Sequence, residues 1–169
     1  MGDTLRGERV TLRPIMLDDA PRLAEIAAEP EIAHWWLGLT KDDLRDKAGP
    51  EEEASVFVIE AEGEVVGLIE TFEEKEPDYR HANIDIFVTG ARQGQGLGAD
   101  AIRTLARHLF EEHGHHRITI DPAAANERAI RAYERVGFKR VGIMRRYERG
   151  VDGEWHDGLL LDLLPEEMT

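Results

Sequence analysis

Val88-Thr89-Gly90-Ala91-Arg92-Gln93-Gly94-Gln95-Gly96-Leu97-Gly98 joins an alternating apolar run to a long amphipathic segment. Gly94, Gly96 and Gly98 recur at every second position and leave backbone N–H groups bare, and Arg92 and Gln93 stand at the entrance. A strand, a glycine-rich loop and a helix N-terminus in that order make an anion site, because unpaired N–H groups and the positive end of the helix dipole point the same way. A bare turn is a poorer explanation, since three glycines cost backbone entropy with no compensating contact. The stretch therefore predicts a phosphate-bearing ligand.

Upstream of the loop, Ile84, Ile86 and Val88 alternate with Asn83, Asp85 and Phe87, so the run Ala82–Val88 reads as a strand with two distinct faces. Two more strand-like runs precede it, Ser55–Ala61 and Val65–Phe72, joined by Glu62-Gly63-Glu64. Such short links predict an antiparallel meander. Earlier still, Val10–Pro14 reads as a strand ended by proline, and Asp18 or Asp19 is expected to cap a helix with Pro21 in its first turn and Leu23, Ile26 and Ala27 as its stripe. That helix stops near Glu29-Pro30, Ile32–Trp36 is less regular, and Thr40 opens a polar surface helix from Lys41 to Ala48.

Downstream, Ile102, Leu105, Ala106 and Leu109 mark the buried stripe of a helix from Leu97 to His113, ended by Gly114. A strand Arg117–Asp121 follows. Asn126 then caps a helix whose face carries Ala129, Ile130, Tyr133 and Val136, and Gly137 ends it. Phe138–Arg146 and Trp155–Leu163 close the chain as two strands around the turn-rich Arg149–Gly153. The order predicts a single mixed α/β domain over residues 1–169, with about four helices and a strand–loop–helix unit at its centre.

The chain has 169 residues, 41% of them hydrophobic, and no apolar run approaches the length of a membrane span. Its first residues, Met1-Gly2-Asp3-Thr4-Leu5-Arg6, lack the pattern of a signal peptide, so the cytoplasm is the expected compartment. The absence of cysteine excludes disulfides, thiolate zinc sites and a cysteine nucleophile. With 21 basic and 35 acidic residues, the net charge of −14 argues against nucleic acid and anionic membranes as partners. It suits a cationic substrate and equally a solubility surface. The acidic stretch Glu73–Asp78 reads as a solvated loop that could add to a cation site. His113, His115 and His116 lie at a helix end with no carboxylate or cysteine framework, which reads as a solvated turn, and no metal is expected.

Gly94-Gln95-Gly96-Leu97-Gly98-Ala99 also fits the dinucleotide pattern G-x-G-x-x-A, with Asp121 as ribose ligand. Two features oppose that reading: several residues separate Val88 from Gly94, and the flanking strands are hairpin-linked instead of repeating βα units. A different pattern accounts for both. Gln93-x-x-Gly96-x-Gly98 resembles the R/Q-x-x-G-x-G/A acetyl-CoA motif of the GNAT N-acetyltransferase superfamily, and Asn126–Phe138 resembles its N-x-x-A-x-x-x-Y-x-x-x-G-F segment. Within it, Val10–Arg13, Trp35-Trp36, Ile84-Asp85 and Asp121-Pro122 through Gly137-Phe138 resemble aminoglycoside 6′-N-acetyltransferases, and Asp152–Asp157 is similar to the branch acting on ribosomal-protein N-termini.

The resemblance implies a GNAT-type sheet, with the meander splayed beside the central strand, and acetyl transfer from acetyl-CoA to an amine by direct attack in a ternary complex. It implies that Gln93, Gly94, Gln95, Gly96, Leu97, Gly98 and Ala99 hold the pyrophosphate, that Phe87 and Val88 pair with the pantetheine arm, and that an N–H near Phe87 or Val88 faces the thioester oxygen. Asn126 joins the cofactor contacts besides capping its helix. Tyr133 is the expected general acid; without the motif it reads as a core aromatic. Asp85 is the expected base or amine anchor against a solvated strand residue, with Glu70 in reserve, and Trp35 and Trp36 wall the acceptor site, one packing in the core and one stacking on substrate. Arg145, Arg146 and Tyr147 read as surface, while Trp155 and His156 reach the acceptor cleft or a dimer interface. The acceptor expected is an aminoglycoside-like or polyamine-like cationic small molecule. The alternatives are a protein N-terminus and, from another class, a non-catalytic acyl-CoA sensor. A homodimer fits the resemblance and the apolar Leu159-Leu160-Leu161.

Overall fold

In the computed structural model, which describes residues 3–36 and 38–169, the meander is the middle of an eight-stranded sheet. The strands are β1 (Leu5–Arg6), β2 (Thr11–Pro14), β3 (Ser55–Ala61), β4 (Glu64–Glu74), β5 (His81–Val88), β6 (Ile118–Ile120), β7 (Lys139–Arg149) and β8 (Trp155–Leu163). Their order across the sheet is β1-β2-β3-β4-β5-β6-β8-β7, and β5–β6 is the parallel pair in an otherwise antiparallel set. β1 had no signal in the sequence, because two residues are too few to show alternation. The helices are α1 (Ala20–Ala27), α2 (Pro30–Ala33), α3 (Lys41–Lys47), α4 (Leu97–Glu111) and α5 (Glu127–Val136). The helix beyond the expected four is the single turn α2.

Strand alternation divides the apolar residues between two cores. Phe57, Ile59, Ile69 and Ile84 face α4 and α5 and pack with Leu97, Ile102, Leu105, Leu109 and Ile130. Val56, Val58, Leu68 and Phe87 face the other way, onto Leu23 and Ile26 of α1 and Leu44 of α3. Each fully buried leucine or isoleucine contributes about 1.5–3 kcal/mol. Leu159 and Leu161 are 4% and 0% exposed within the first core, so the apolar last strand is explained inside one chain and gives no argument for a dimer. Asp19 departs from its expected role too. Its carboxylate makes no cap to α1; it accepts from both Arg13 Nη atoms at 2.9 Å and from the Met16 N–H at 2.7 Å, pinning the turn before α1 to β2.

One feature of the sheet positions everything functional. β5 and β6 pair only at Ala82↔Ile118 and Asn83↔Thr119. β6 ends at Ile120 while β5 runs on to Val88, so the two strands part and a gap opens along the last residues of β5.

Candidate active site

A cleft of about 1220 Å³ fills that gap, bounded by β5, the glycine loop with the start of α4, the face of α5, the end of β7 and the Trp35-Trp36 segment. The loop reaches it through glycine geometry: Gly94 and Gly96 both have φ of 80°, the left-handed region that a side chain disfavours. Gly96 is the N-cap of α4 and offers no side-chain cap. Asp100 in the first turn is spent elsewhere, accepting the N–H groups of Glu8, Arg9 and Val10 at 3.1, 2.8 and 2.9 Å. Among the described residues no protein acceptor takes the N–H groups from Gly94 to Ala99, so those of Gly94 and Gly96–Ala99, which line the cleft, are free to meet an anion there together with the helix dipole. Arg128 adds a positive charge at the mouth, its Nη2 lying 3.9 Å from where a Cβ on Gly94 would stand.

The expected loop residues divide into two sets. Gln93, Gly94, Gly96, Leu97, Gly98 and Ala99 line the cleft. The Gln95 side chain turns away, accepting from Arg92 Nε at 3.0 Å, and its carbonyl accepts from Arg9. Gln93 Nε2 donates to the Val88 carbonyl at 2.9 Å, so this side chain braces the loop against the end of β5.

Backbone alternation separates Phe87 from Val88. Thr89 N–H donates to the Val66 carbonyl at 2.7 Å, which makes 89↔66 a hydrogen-bonded pair of the β4–β5 ladder. Every second residue does the same, so Phe87 is turned to Leu68, and the polar groups of Val88 and Ile86 are turned to the gap. Phe87 contributes its ring, edge-on to Trp36 at 5.0 Å. The strand edge facing the gap is therefore Ile86–Val88, with the Val88 carbonyl already accepting from Gln93, and Ile86 was missed in the sequence reading because its apolar side chain says nothing about where its N–H points.

Across the gap, Asn126 Oδ1 caps α5 by accepting the Ala129 N–H at 3.3 Å. Tyr133, about two turns further along, lines the cleft half-buried. Burial, then the charges of Asp85 and Asp121, push its phenol well above its ordinary range, so it holds its proton at neutral pH. Asp85 lies on β5 beside Glu70 in the register. It retains accessible surface within the cleft, so water reaches it, while the surrounding protein atoms, then Asp121, Glu70 and Glu148, push its carboxyl up to about 7. Burial also raises Asp121 and Glu148. Among the described residues none of these three carboxylates has a cation within 4.0 Å.

Glu70 differs from them. It is paired with Lys47 at 2.7 Å, both side chains largely buried, and it is not in the cleft wall. Tyr147 is exposed, as expected, and also lines the cleft: its hydroxyl donates to Asp121 Oδ2 at 3.0 Å, and partial burial and Asp121 push it up to about 12. A register shift between Met144 and Glu148, with Arg146 at a φ of 49°, sets the Tyr147 ring over Gly158, where a Cβ would stand 2.8 Å from it. A bulge has no periodic signature, which is why Tyr147 and Glu148 were not legible. Trp35 and Trp36 both line the cleft; Trp36 packs on the second core, and Trp35 packs edge-on with His34 at 4.3 Å. Trp155 and His156 stay on the β7–β8 hairpin outside the cleft wall, with His156 bound to Asp152 at 2.8 Å. Glu73 is no solvated loop residue. It lies in β4 and accepts from His113 Nδ1 at 2.8 Å and from buried His115 Nε2 at 2.6 Å, so the histidine turn acquires the carboxylate that its own sequence lacks.

Comparison with known proteins bears on the same geometry. Residues 9–139 match the acetyltransferase (GNAT) domain. The chain is 31% identical over 159 residues to aminoglycoside N(6′)-acetyltransferase type 1 of Klebsiella pneumoniae, covering 82% of this chain and 78% of that one. It is 24% identical over 156 residues to spermidine N(1)-acetyltransferase of Escherichia coli K12, covering 89% and 83%. The solved structure of Mycobacterium smegmatis RimJ in complex with CoA-disulfide superposes with a TM-score of 0.84 at 28% identity, over 98% of this chain and 88% of that one. A splayed strand edge, an uncapped glycine loop and a protonated tyrosine across the gap are thus set in a sheet shared with these enzymes, and the chain belongs to the GNAT acetyltransferase family as an acetyl-CoA-dependent N-acetyltransferase.

Proposed function

We propose that the protein acetylates a primary amine of a polycationic small molecule of aminoglycoside or polyamine type. The observation that carries this reading is the group of Asp85, Asp121 and Glu148 in one cleft, each carboxyl raised and none matched by a cation. Anions that destabilise one another are relieved by a ligand with several ammonium groups. Both curated relatives named above carry such amines in their names.

In this reading the N–H groups of Gly94 and Gly96–Ala99, with Arg128, hold the pyrophosphate, and Ile86 and Val88 pair with the pantetheine amides as an added strand. Acetyl-CoA supplies an activated acyl group. Asp85, poised near neutrality, takes a proton from the ammonium of the acceptor, while Asp121 and Glu148 hold its other charges. The Val88 N–H, directed into the gap, donates to the thioester oxygen as charge grows there. Tyr133 Oη keeps its proton until it delivers it to the departing sulfur, and it regains one from the acceptor nitrogen, which sheds its second proton as the C–N bond forms and the C–S bond breaks. Trp35 forms the wall against which the acceptor stacks, and Glu70, tied to Lys47, sets the charge felt by Asp85 without touching substrate. The protein acts as a homodimer through the edge strand β7, whose Val141 and Ile143 are 53% and 57% exposed; sedimentation at several concentrations tests this.

The test is an acetyl-transfer screen over aminoglycosides, polyamines and peptides with free N-termini, read by CoA release. Turnover on the first two classes with little on peptides is expected. Preference for peptides instead establishes the N-terminal reading suggested by Asp152–Asp157.

A further inference from the structure

At the far end of α4, Glu73 of β4 meets His113 and His115 of the α4–β6 connection, with one carboxylate oxygen and one nitrogen from each ring all within 4.8 Å of one another. α4 has 15 residues, a length of about 22 Å, so this cluster is remote from the glycine loop at the other end. Its backbone is held in place. Gly114 takes a φ of 69° and turns the flanking rings towards one point, the His115 N–H donates to the Leu109 carbonyl at 3.1 Å, and Arg80 donates to the carbonyls of His113 and of Gly114, the latter at 3.3 Å. The side chains are graded in exposure, 0% for His115, 23% for Glu73 and 37% for His113, which makes a buried floor with a mouth open to water.

We propose that Glu73, His113 and His115 form a divalent transition-metal site that takes zinc. Two imidazole nitrogens and a carboxylate oxygen are a borderline donor set suited to zinc, and the open side leaves a fourth position for water. Glu73 Oε1 now accepts from both rings at 2.6 and 2.8 Å. Tetrahedral ligands about 2.0–2.2 Å from zinc stand roughly 3.3–3.5 Å apart, so the half-exposed His113 and Glu73 withdraw by about half to one ångström. Zinc takes the place of the shared protons at His113 Nδ1 and His115 Nε2, and each neutral ring then carries its single proton on the other nitrogen. On His115 that nitrogen is Nδ1, which is buried without a hydrogen-bond partner. That unpaired N–H weakens the site relative to a closed structural one, and the affinity expected is on the order of micromolar. The ion ties β4 to the connection after α4, so its effect is on stability and not on the acetyl-transfer step.

The test uses the full-length chain without an affinity tag, stripped with a chelator, dialysed and titrated with zinc chloride by calorimetry, with Tm read in parallel. One zinc per chain is expected, with Tm rising as zinc is added. Glu73→Gln and His113→Ala should each weaken binding by about ten-fold or more, with the fold checked by circular dichroism, while His116→Ala and His156→Ala retain it. His113→Ala alters an exposed ring and is safe for folding if Glu73→Gln is not. No heat and no Tm shift at about a hundred-fold excess of zinc, or binding undiminished in His113→Ala, overturns the proposal.

Discussion

Tyr133 and Asp85 line one gap, and the charge of Asp85 raises the energetic cost of charge on Tyr133. Tyr133→Phe removes the proton and keeps the ring, so kcat should fall by about 100-fold with KM for acetyl-CoA nearly unchanged. Unchanged turnover in a steady-state assay reduces Tyr133 to a packing residue. In the proposed mechanism Asp85 acts only when deprotonated, so kcat/KM for the amine should rise with pH through about 7, and Asp85→Asn should remove that limb. The same carboxyl has a stability signature. Its folded pKa lies above the unfolded value, so the folded state binds more protons and stability falls as pH rises from about 4 to about 7. Asp85→Asn should therefore leave Tm unchanged below pH 4 and raise it at pH 8, as thermal scans can show. The residue types at 133 and 85 were readable from the motif, but their mutual electrostatics were not, because the two are far apart in the chain.

The loop and the ion pair behind it act at the level of elements. Gly96 has nothing within 4 Å of where its Cβ would stand, so Gly96→Ala isolates the cost of a left-handed alanine, about 1–2 kcal/mol, in denaturant unfolding. The same change should raise KM for acetyl-CoA, because relaxing φ swings the loop N–H groups away from their common direction. Lys47 on α3 supports Asp85 from beneath: it lowers the Asp85 carboxyl and pairs with Glu70 at 2.7 Å. Lys47→Met should shift the rising limb of the pH–rate profile to higher pH, in addition to lowering Tm by leaving Glu70 buried and unpaired. Element boundaries were largely legible, down to Thr40 at the start of α3, because caps, glycines and alternation are local; the reciprocal bonds between Thr40 and Asp43 came from the structure. The Arg146 bulge was not, since it is a compromise between the β7–β8 ladder and the packing of Tyr147 on Gly158.

Across the molecule, the charge of −14 and the uncompensated cleft carboxylates point to electrostatic capture of substrate. kcat/KM for a polyamine should fall steeply with added salt, and that for a monoamine only slightly; equal slopes separate the surface charge from the reaction. Among the described residues no helix is long and apolar enough to cross a membrane.

By itself the sequence determined the sheet meander, the loop–helix unit and the class of chemistry, because periodicity, glycine spacing and a motif within one segment are local properties. Even the spacer Gly90-Ala91-Arg92 had meaning there, separating this loop from a dinucleotide turn. Tertiary structure alone decided the rest. It set which backbone faces of β5 are free, it left Asp85, Asp121 and Glu148 together without a cation while giving Glu70 to Lys47, and it brought Glu73 to the histidines. Those outcomes depend on ladder parity and on distances between remote residues, and charge and desolvation energies depend on distance in space, not along the chain.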